Sequence, residues 1–387
     1  MIFLRLIFIL FLIEKFLFSF EFKPLFDFGV EKYNYEDLLL VEFTPEIKFK
    51  NLYLGIKIDV EINSNFKAES YKWDGKEDII RKLRFFRYRN EFLNFYIGPI
   101  YEFSFIDKFL IYKYTNQVFE PILEKRGAIL DLKYKSFGFQ SFIDDVIDFD
   151  NFGFNFYSNL EKIVFGLGFF IDNDIFDPYS DKGLDAQDLK VSWADINLNY
   201  KLEFNKFLIT FENDFIKNIN YKFYFLGSGF KFGYNYFLVR LKYIYNNEQR
   251  IIPVNYFYDL ERIVLETAES GQSGAFLNIE FNKNEFINIG NEILLLKNKI
   301  PFSGIYLKTG KNFWTAFQTE IKVCNKNVEK FVDILSDRNK DSYIIFSVKI
   351  PLSKNLFLTF YYIKSFKNEN EKLSALRYSS IRTEFKF

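Results

Sequence analysis

Hydrophobic and polar residues alternate along much of this 387-residue chain. In the segment 52–62, every second side chain is aliphatic, whereas the residues between include Lys57, Asp59 and Glu61. The same alternation recurs in four further segments, 194–204, 207–215, 237–245 and 313–323. A period of two is typical of β-strands, because successive side chains point to opposite faces. The pattern therefore predicts an all-β protein.

The lengths of the strands and of their connections indicate a membrane barrel. The alternating segments span about 9–12 residues, and a tilted strand needs about 9–11 residues to cross a bilayer. Short turns are predicted near 50–51, 89–91, 136, 159–161, 204–206, 234–235, 283–285, 311–312 and 351–355. Long connections are predicted near 63–77, 104–126, 173–188, 247–273 and 325–341. With strands running up and down in sequence order, all long connections fall at one end, as in outer-membrane barrels. We expect a single closed antiparallel barrel of about 20 strands, with a range of 16–22.

The chain ends on a further alternating segment, "SIRTEFKF". This ending resembles the C-terminal assembly signal of bacterial outer-membrane barrels, and the matching residues are Ile381, Phe385 and Phe387; Thr383 departs from the pattern. We expect this strand to pair with the first one, near 25–32, because lipid cannot hydrogen-bond an open sheet edge.

The first 19 residues resemble a secretory signal peptide. Arg5 supplies an early positive charge, an apolar run follows from Leu6 to Ile13, and Ser19 is a small residue at which cleavage is expected. An uncleaved anchor is the alternative, although Glu14 and Lys15 interrupt the run. We therefore expect a signal peptide at 1–19 and a transmembrane β-barrel at 20–387. The barrel's net charge would be (51 − 2) − (51 − 1) = −1, which gives no general attraction to nucleic acid.

The residues do not indicate an enzyme. The chain has no His, which excludes His-dependent hydrolysis and His metal sites, and we expect no cofactor. Cys324 is the single cysteine, so the chain forms no internal disulfide. Carboxylate chemistry at Asp144, Asp145 and Asp148 stays open, although the pattern favours a solvated loop.

Charged residues on the faces opposite the apolar ones are the candidate functional residues. We expect them to line a lumen: Lys57, Asp59, Glu61, Asp131, Lys133, Glu212, Asp214, Arg240, Lys242, Glu320 and Lys322. Both signs occur, as expected for a polar passage, although simple pairing across strands is also open. A basic run at 81–89 either lines the lumen, faces lipid headgroups or forms a strand rim. The connection 104–126 is a candidate constriction because it carries the apolar residues Phe105, Phe109, Leu110 and Ile111.

The segments 95–116 and 127–145 resemble a family of spirochaetal outer-membrane barrel proteins, over roughly 92–172. This resemblance implies a porin-like or transporter-like barrel without fixing a substrate. Taken together, the sequence favours an outer-membrane channel for small hydrophilic solutes. The alternatives are a fatty-acid-type transporter for hydrophobic solutes and a surface adhesin or structural barrel with a sealed lumen. The expected partners are outer-membrane lipid, the barrel-assembly machinery, periplasmic chaperones and small solutes; the oligomeric state is left open.

Overall fold

A computed structural model of the chain describes sixteen stretches, which together include every strand named below. They are 20–33, 36–62, 80–101, 103–105, 116, 125–147, 149, 151–172, 191–219, 224–246, 272–283, 286–296, 299–310, 317–328, 343–369 and 372–386. The predicted signal peptide at 1–19 lies outside them. Within these stretches, no helix has the length and apolar character needed to cross a membrane.

Strands make up most of the described residues. In chain order they are β1 (Phe20–Tyr33), β2 (Glu36–Phe49), β3 (Leu52–Ile56), β4 (Ile58–Ile62), β5 (Leu83–Arg89), β6 (Leu93–Gly98), β7 (Gly127–Tyr134), β8 (Phe137–Ile143), β9 (Asn151–Leu160), β10 (Ile163–Asp172), β11 (Val191–Phe204), β12 (Phe207–Asn218), β13 (Tyr224–Tyr234), β14 (Phe237–Asn246), β15 (Gln272–Asn282), β16 (Ile287–Leu296), β17 (Lys299–Thr309), β18 (Gln318–Val328), β19 (Tyr343–Pro351), β20 (Leu356–Glu369) and β21 (Lys372–Lys386).

The strands form one closed antiparallel barrel. Apart from β3 and β4, consecutive strands pair with each other, and β21 returns to β1 with Leu25 opposite Lys386 and Tyr33 opposite Tyr378. Both β3 and β4 pair with β2, so they are two halves of one traverse and the barrel has 21 − 1 = 20 traverses. The break falls beside Pro45, which has no N–H to donate to the ladder. The predicted fold, strand number and closure are confirmed.

The connections differ between the two ends of the barrel. At one end they have two to eight residues, beginning with the turn 50–51 between β2 and β3. At the other end lie all the connections longer than ten residues: 63–82, 99–126, 173–190, 247–271 and 329–342. The predicted asymmetry is therefore confirmed, and we refer to the two ends as the short-turn end and the long-connection end.

The two faces of the barrel wall differ in chemistry. On the β3–β4 traverse, Ile56, Ile58 and Val60 are exposed on the outside, whereas Lys57 and Asp59 are buried on the inside. Exposed apolar side chains cover the outside of most other strands in the same way, including Phe28, Phe165, Leu198, Phe211, Leu241 and Ile381. An apolar outer surface around a polar interior is the arrangement that a barrel needs in lipid.

Candidate functional site

A compact group of charges lies on the inner face of β12 and β14. Glu212 accepts a hydrogen bond from Arg240 Nε at 2.5 Å, and its Oε2 atom lies 3.5 Å from Lys242 Nζ. Lys242 also pairs with Asp214. All four side chains are at least 95% removed from solvent. We call Glu212, Asp214, Arg240 and Lys242 the β12–β14 cluster, and its formal charge is zero.

Two glycines allow these charges to meet across an intervening strand. β13 lies between β12 and β14, and its inward positions opposite Glu212 and Asp214 are Gly229 and Gly227. A Cβ added to Gly227 would stand 3.1 Å from Cδ of Lys242, so the lysine side chain lies directly over this glycine. A Cβ added to Gly229 would stand 2.5 Å from Cα of Lys242. Glycine at these two positions therefore lets the backbone and side chain of Lys242 lie close to β13.

A second group of charges lines β2, the β3–β4 traverse and β5. Lys57 Nζ lies 3.8 Å from Glu42 and 3.6 Å from Asp59. Lys82 pairs with Asp59, and Arg84 Nη1 lies 3.6 Å from Glu42. We call these five residues the β2–β5 cluster; three cations against two anions give it a formal charge of +1. The basic run at 81–89 thus contributes Lys82 and Arg84 to the inner wall.

Inward-pointing charged residues continue from the β2–β5 cluster across the junction of β1 and β21, where the barrel closes. Arg382 on β21 lies 3.6 Å from Asp27 on β1. Glu384 pairs with Lys349 of β19 and accepts a hydrogen bond from Thr359 Oγ1 at 2.8 Å. Because β20 and β21 close onto β1, this row of charges extends the charged wall from β19 to β5.

The two clusters lie on nearly opposite sides of the lumen. The β3–β4 traverse is third in the barrel and β13 is twelfth, so 12 − 3 = 9 of 20 traverses separate the cluster centres. Both clusters lie four to eight residues along their strands from the short turns, which places them at a similar height. Fixed charges of both signs therefore stand on opposing inner walls at this level.

Amide side chains and one further carboxylate fill the inner wall beside the β12–β14 cluster. Asn197 and Asn199 on β11 stand opposite Asp214 and Glu212 in the ladder. On the other side, Asn278 Nδ2 donates to Glu292 at 2.9 Å. These residues are almost fully buried, so the wall is tightly packed at this height instead of facing bulk water. Among the described residues, no group of three His, Cys, Asp or Glu side chains could hold a metal ion.

An aromatic cluster occupies the inner wall near the start of the predicted constriction. Phe105 is buried, and its ring centroid lies 5.5 Å from that of Phe103 and 5.7 Å from that of Phe142 on β8. Phe142 stacks on Phe170 of β10 at 6.0 Å. The other predicted constriction residues, Phe109, Leu110 and Ile111, lie outside the described residues. Phe105 is therefore packed against the inner wall and is not exposed at the surface, whereas the constriction itself stays a prediction.

Asp144 and Asp145 are buried, so the prediction of a solvated loop is wrong for both. Asp144 Oδ1 accepts the backbone N–H groups of Asp145 at 2.8 Å and of Asn151 at 2.9 Å. Asn116, from the 99–126 connection, accepts the N–H of Ile100 at 2.7 Å and donates to the carbonyl oxygen of Asp144 at 2.5 Å. The contacts of Asn116 tie the connection to the wall, and the buried Asp144 carboxylate is satisfied by the backbone N–H groups that it accepts.

The remaining predicted lining residues lie outside the two clusters. Asp131 and Lys133 form a pair at 3.2 Å, and Glu320 lies 3.7 Å from the exposed Lys308. Lys322 is half-buried on the same face as Glu320. The side chain of Glu61 lies outside the described residues, as does Phe387. Ile381 and Phe385 of the predicted assembly signal are on the outer, exposed face.

Several lining residues were missed from the sequence. They are Asp27, Glu42 and Lys349, together with Asn197, Asn199, Asn278 and Glu292. The signal that indicates the β12–β14 cluster is "LGSGF" at 226–230, where two inward glycines stand between an acidic and a basic strand.

The chain matches no family model and no curated protein. Among solved structures, it is similar to OccK5 (OpdH) of Pseudomonas aeruginosa, with 7% identity, a TM-score of 0.41 and coverage of 95% of this chain and 97% of that chain. OccAB2 of Acinetobacter baumannii matches at 8% identity, with a TM-score of 0.41 and coverage of 95% and 98%. A BenF-like porin from Pseudomonas fluorescens matches at 6% identity, with a TM-score of 0.40 and coverage of 95% and 98%. At such low identities and scores, the activity has to be argued from the chain's own side chains.

Proposed function

We propose that the chain is a bacterial outer-membrane channel through which small hydrophilic solutes cross by diffusion. The observation that carries this proposal is the inner wall, where fixed charges of both signs stand on opposite sides of a closed barrel. An apolar outer surface is compatible with lipid, and a charged interior is compatible with water and polar solutes. A barrel that served only to anchor external loops would not need buried charges at mid-height.

The packing of the wall supports a narrow passage. Lys242, Glu212 and Asp59 are each at least 98% removed from solvent, although a barrel of this strand number encloses an aqueous channel unless something fills it. Side chains of the wall and of connections that fold inward, such as the segment at Phe105, would reduce the open cross-section. We therefore assign the channel to small solutes and not to bulky ones.

We place the protein in the bacterial outer membrane, exported by a signal peptide at 1–19 and inserted by the barrel-assembly machinery after periplasmic chaperones deliver it. The strand pattern at Ile381, Phe385 and Phe387 supports recognition by that machinery. The resemblance over 92–172 supports a spirochaetal type of barrel. No cofactor and no catalytic step belong to this proposal.

A second candidate, transport of a hydrophobic solute, is favoured by one observation. The rings of Phe103, Phe105, Phe142 and Phe170 pack together as a continuous apolar cluster on the inner wall, in which Phe103 is half-buried and the other three are buried. An apolar solute would bind such a surface, whereas a hydrophilic solute would pass it without binding. The two candidates therefore differ in whether this cluster contributes to transport.

Solute-driven swelling of vesicles tests the two candidates together. Refolded protein in vesicles should admit small sugars and amino acids at rates that fall steeply with solute size, and Phe105→Ala should leave these rates unchanged or raise them. Heat-modifiable migration on a gel serves as the control that the barrel is folded. Folded barrels that admit no hydrophilic solute, but bind a fatty acid and lose that binding in Phe105→Ala, would favour the second candidate.

A further inference from the structure

The turns at the short-turn end carry an excess of positive charge. The described residues of these turns include six lysines, at positions 50, 135, 162, 206, 283 and 354, but only two acidic residues, Glu91 and Glu161. All six lysines are exposed. They occur in turns spaced around the circumference of the barrel, so the charge forms a ring and not a single patch.

Three of these lysines lie against aromatic rings at the edge of the outer wall. Lys50 Nζ is 5.4 Å from the ring centroid of Phe49, and Lys135 Nζ is 5.4 Å from that of Tyr134. Both rings belong to outward positions of their strands. Lys283 Nζ lies 5.1 Å from Phe286 and 5.9 Å from Tyr236, and both of those rings are exposed.

This geometry places the three ammonium groups at a specific depth. Aromatic girdles mark the boundary between hydrocarbon and headgroups in membrane barrels, and further exposed rings, including Phe92, Phe137 and Phe237, lie near the same end. The ammonium groups stay close to these rings, on the outer side of the wall, instead of extending into the mouth of the lumen. They therefore lie at the depth of the lipid phosphates.

The backbone at two of these positions is unusual for lysine. Lys50 has a φ of 52° and Lys135 a φ of 53°, which lie in the left-handed region. In three other turns of this end, Glu161, Asn205 and Asn235 also have positive φ, so the conformation is shared by the turns and the positive charge is a property of the two lysines alone.

From these observations we propose that the short-turn end binds the headgroups of anionic phospholipids in the leaflet that surrounds it. The lysine ring supplies the charge, since a basic residue near an anionic membrane surface is attracted to it. The aromatic rings hold Lys50, Lys135 and Lys283 at the depth of the phosphates. The proposal requires only that the barrel lies in a bilayer, so it does not depend on conductance.

Electron paramagnetic resonance with spin-labelled lipids measures this binding in the folded barrel. In vesicles of phosphatidylcholine, we expect the protein to prefer spin-labelled phosphatidylglycerol over spin-labelled phosphatidylcholine by about fivefold. The variant with Lys50→Gln, Lys135→Gln and Lys283→Gln should lose most of this preference, whereas the corresponding arginine variant should keep it. Raised salt should weaken it, because the interaction is electrostatic.

A matched variant controls for charge removal in general. Lys32, Lys217 and Lys364 point outward near the long-connection end, and changing these three to Gln removes the same charge without touching the ring. The proposal is overturned if the wild-type protein shows no preference for phosphatidylglycerol. It is also overturned if the control variant loses as much of this preference as the variant with Lys50, Lys135 and Lys283 changed to Gln. It is also overturned if millimolar inorganic phosphate abolishes the preference at constant ionic strength, because the ring would then bind free phosphate. Heat-modifiable migration establishes that each variant is folded.

Discussion

Arg240 on β14 donates a hydrogen bond to Glu212 on β12 at 2.5 Å, although β13 runs between the two strands. Alternate strands of a sheet lie about 9–10 Å apart, so the two side chains meet only by reaching across β13. Gly227 and Gly229 on β13 carry no side chain to block the cluster, and a Cβ on either would stand within 3.1 Å of an atom of Lys242. A charged cluster of the lumen thus depends on two residues that carry no side chain.

Adding a single methyl group to that strand should destabilise the barrel. In Gly229→Ala, the new Cβ would stand 2.1 Å from the carbonyl oxygen of Leu241, and backbone cannot move aside as a flexible side chain can. We expect the free energy of unfolding to fall by about 1–3 kcal/mol, measured by urea titration in vesicles with gel migration as the readout.

Gly233 on the same strand provides the matched control. A Cβ there would meet nothing closer than 3.7 Å, so Gly233→Ala should leave the unfolding free energy nearly unchanged. Equal destabilisation by the two substitutions would mean that glycine matters for the flexibility of β13 and not for the space above it.

Neutralising Glu212 should lower the free energy of unfolding more than neutralising an exposed carboxylate does. Glu212→Gln leaves Arg240 and Lys242 buried with one carboxylate fewer, and breaking a buried pair in this way costs about 3–5 kcal/mol. Glu320→Gln removes a half-exposed partner of Lys308 at 3.7 Å, for which we expect a loss below about 1 kcal/mol. The same urea titration compares them, and similar losses would show that the β12–β14 cluster is well hydrated.

Alternation predicted the part of the fold that depends on which way a side chain points. It placed Lys57 and Asp59 inside and Ile56 and Ile58 outside, and the structure agrees. It also predicted the closure of the last strand on the first, because a barrel in lipid has no free edge. Both inferences need only the two-residue period and the chemistry of the solvent.

The contacts between inward residues could not be predicted in the same way, because they depend on register and on missing side chains. The sequence pattern favoured a solvated loop at Asp144. In the structure this residue is buried, and Asn116, 28 positions earlier, donates a hydrogen bond to its carbonyl oxygen. The polar Asn213 points outward on β12, where it accepts a hydrogen bond from Ser228 Oγ at 2.8 Å. Neither contact leaves a local pattern in the sequence.

The contacts of Asn116 should hold the 99–126 connection against the wall. Asn116→Ala removes the acceptor of the buried Ile100 N–H and a donor to Asp144, so the unfolding free energy should fall by about 1–3 kcal/mol. Asn116→Asp keeps the acceptor for Ile100 but sets a carboxylate oxygen against the carbonyl oxygen of Asp144, so it should lower the unfolding free energy at least as much as alanine does. If the alanine and aspartate variants are both as stable as wild type by urea titration, Asn116 does not anchor the connection.

A charged residue on the outer wall should lower the free energy of unfolding more at mid-height than near the turns. Phe211 is exposed on the middle part of β12, whereas Phe237 begins β14 beside a short turn. In vesicles, Phe211→Arg should lower the unfolding free energy by about 2–4 kcal/mol and Phe237→Arg by about 0–1 kcal/mol. Equal effects at both depths would contradict a lipid-facing outer wall.

Conductance of the refolded chain, residues 20–387, across a planar lipid bilayer is the most direct test of the proposed channel. Discrete steps of current, with a reversal potential that shifts when charges of the β2–β5 or β12–β14 cluster are neutralised, are the predicted result. A barrel that is folded by heat-modifiable migration yet carries no current would contradict the diffusion channel and favour a closed transporter or a sealed barrel.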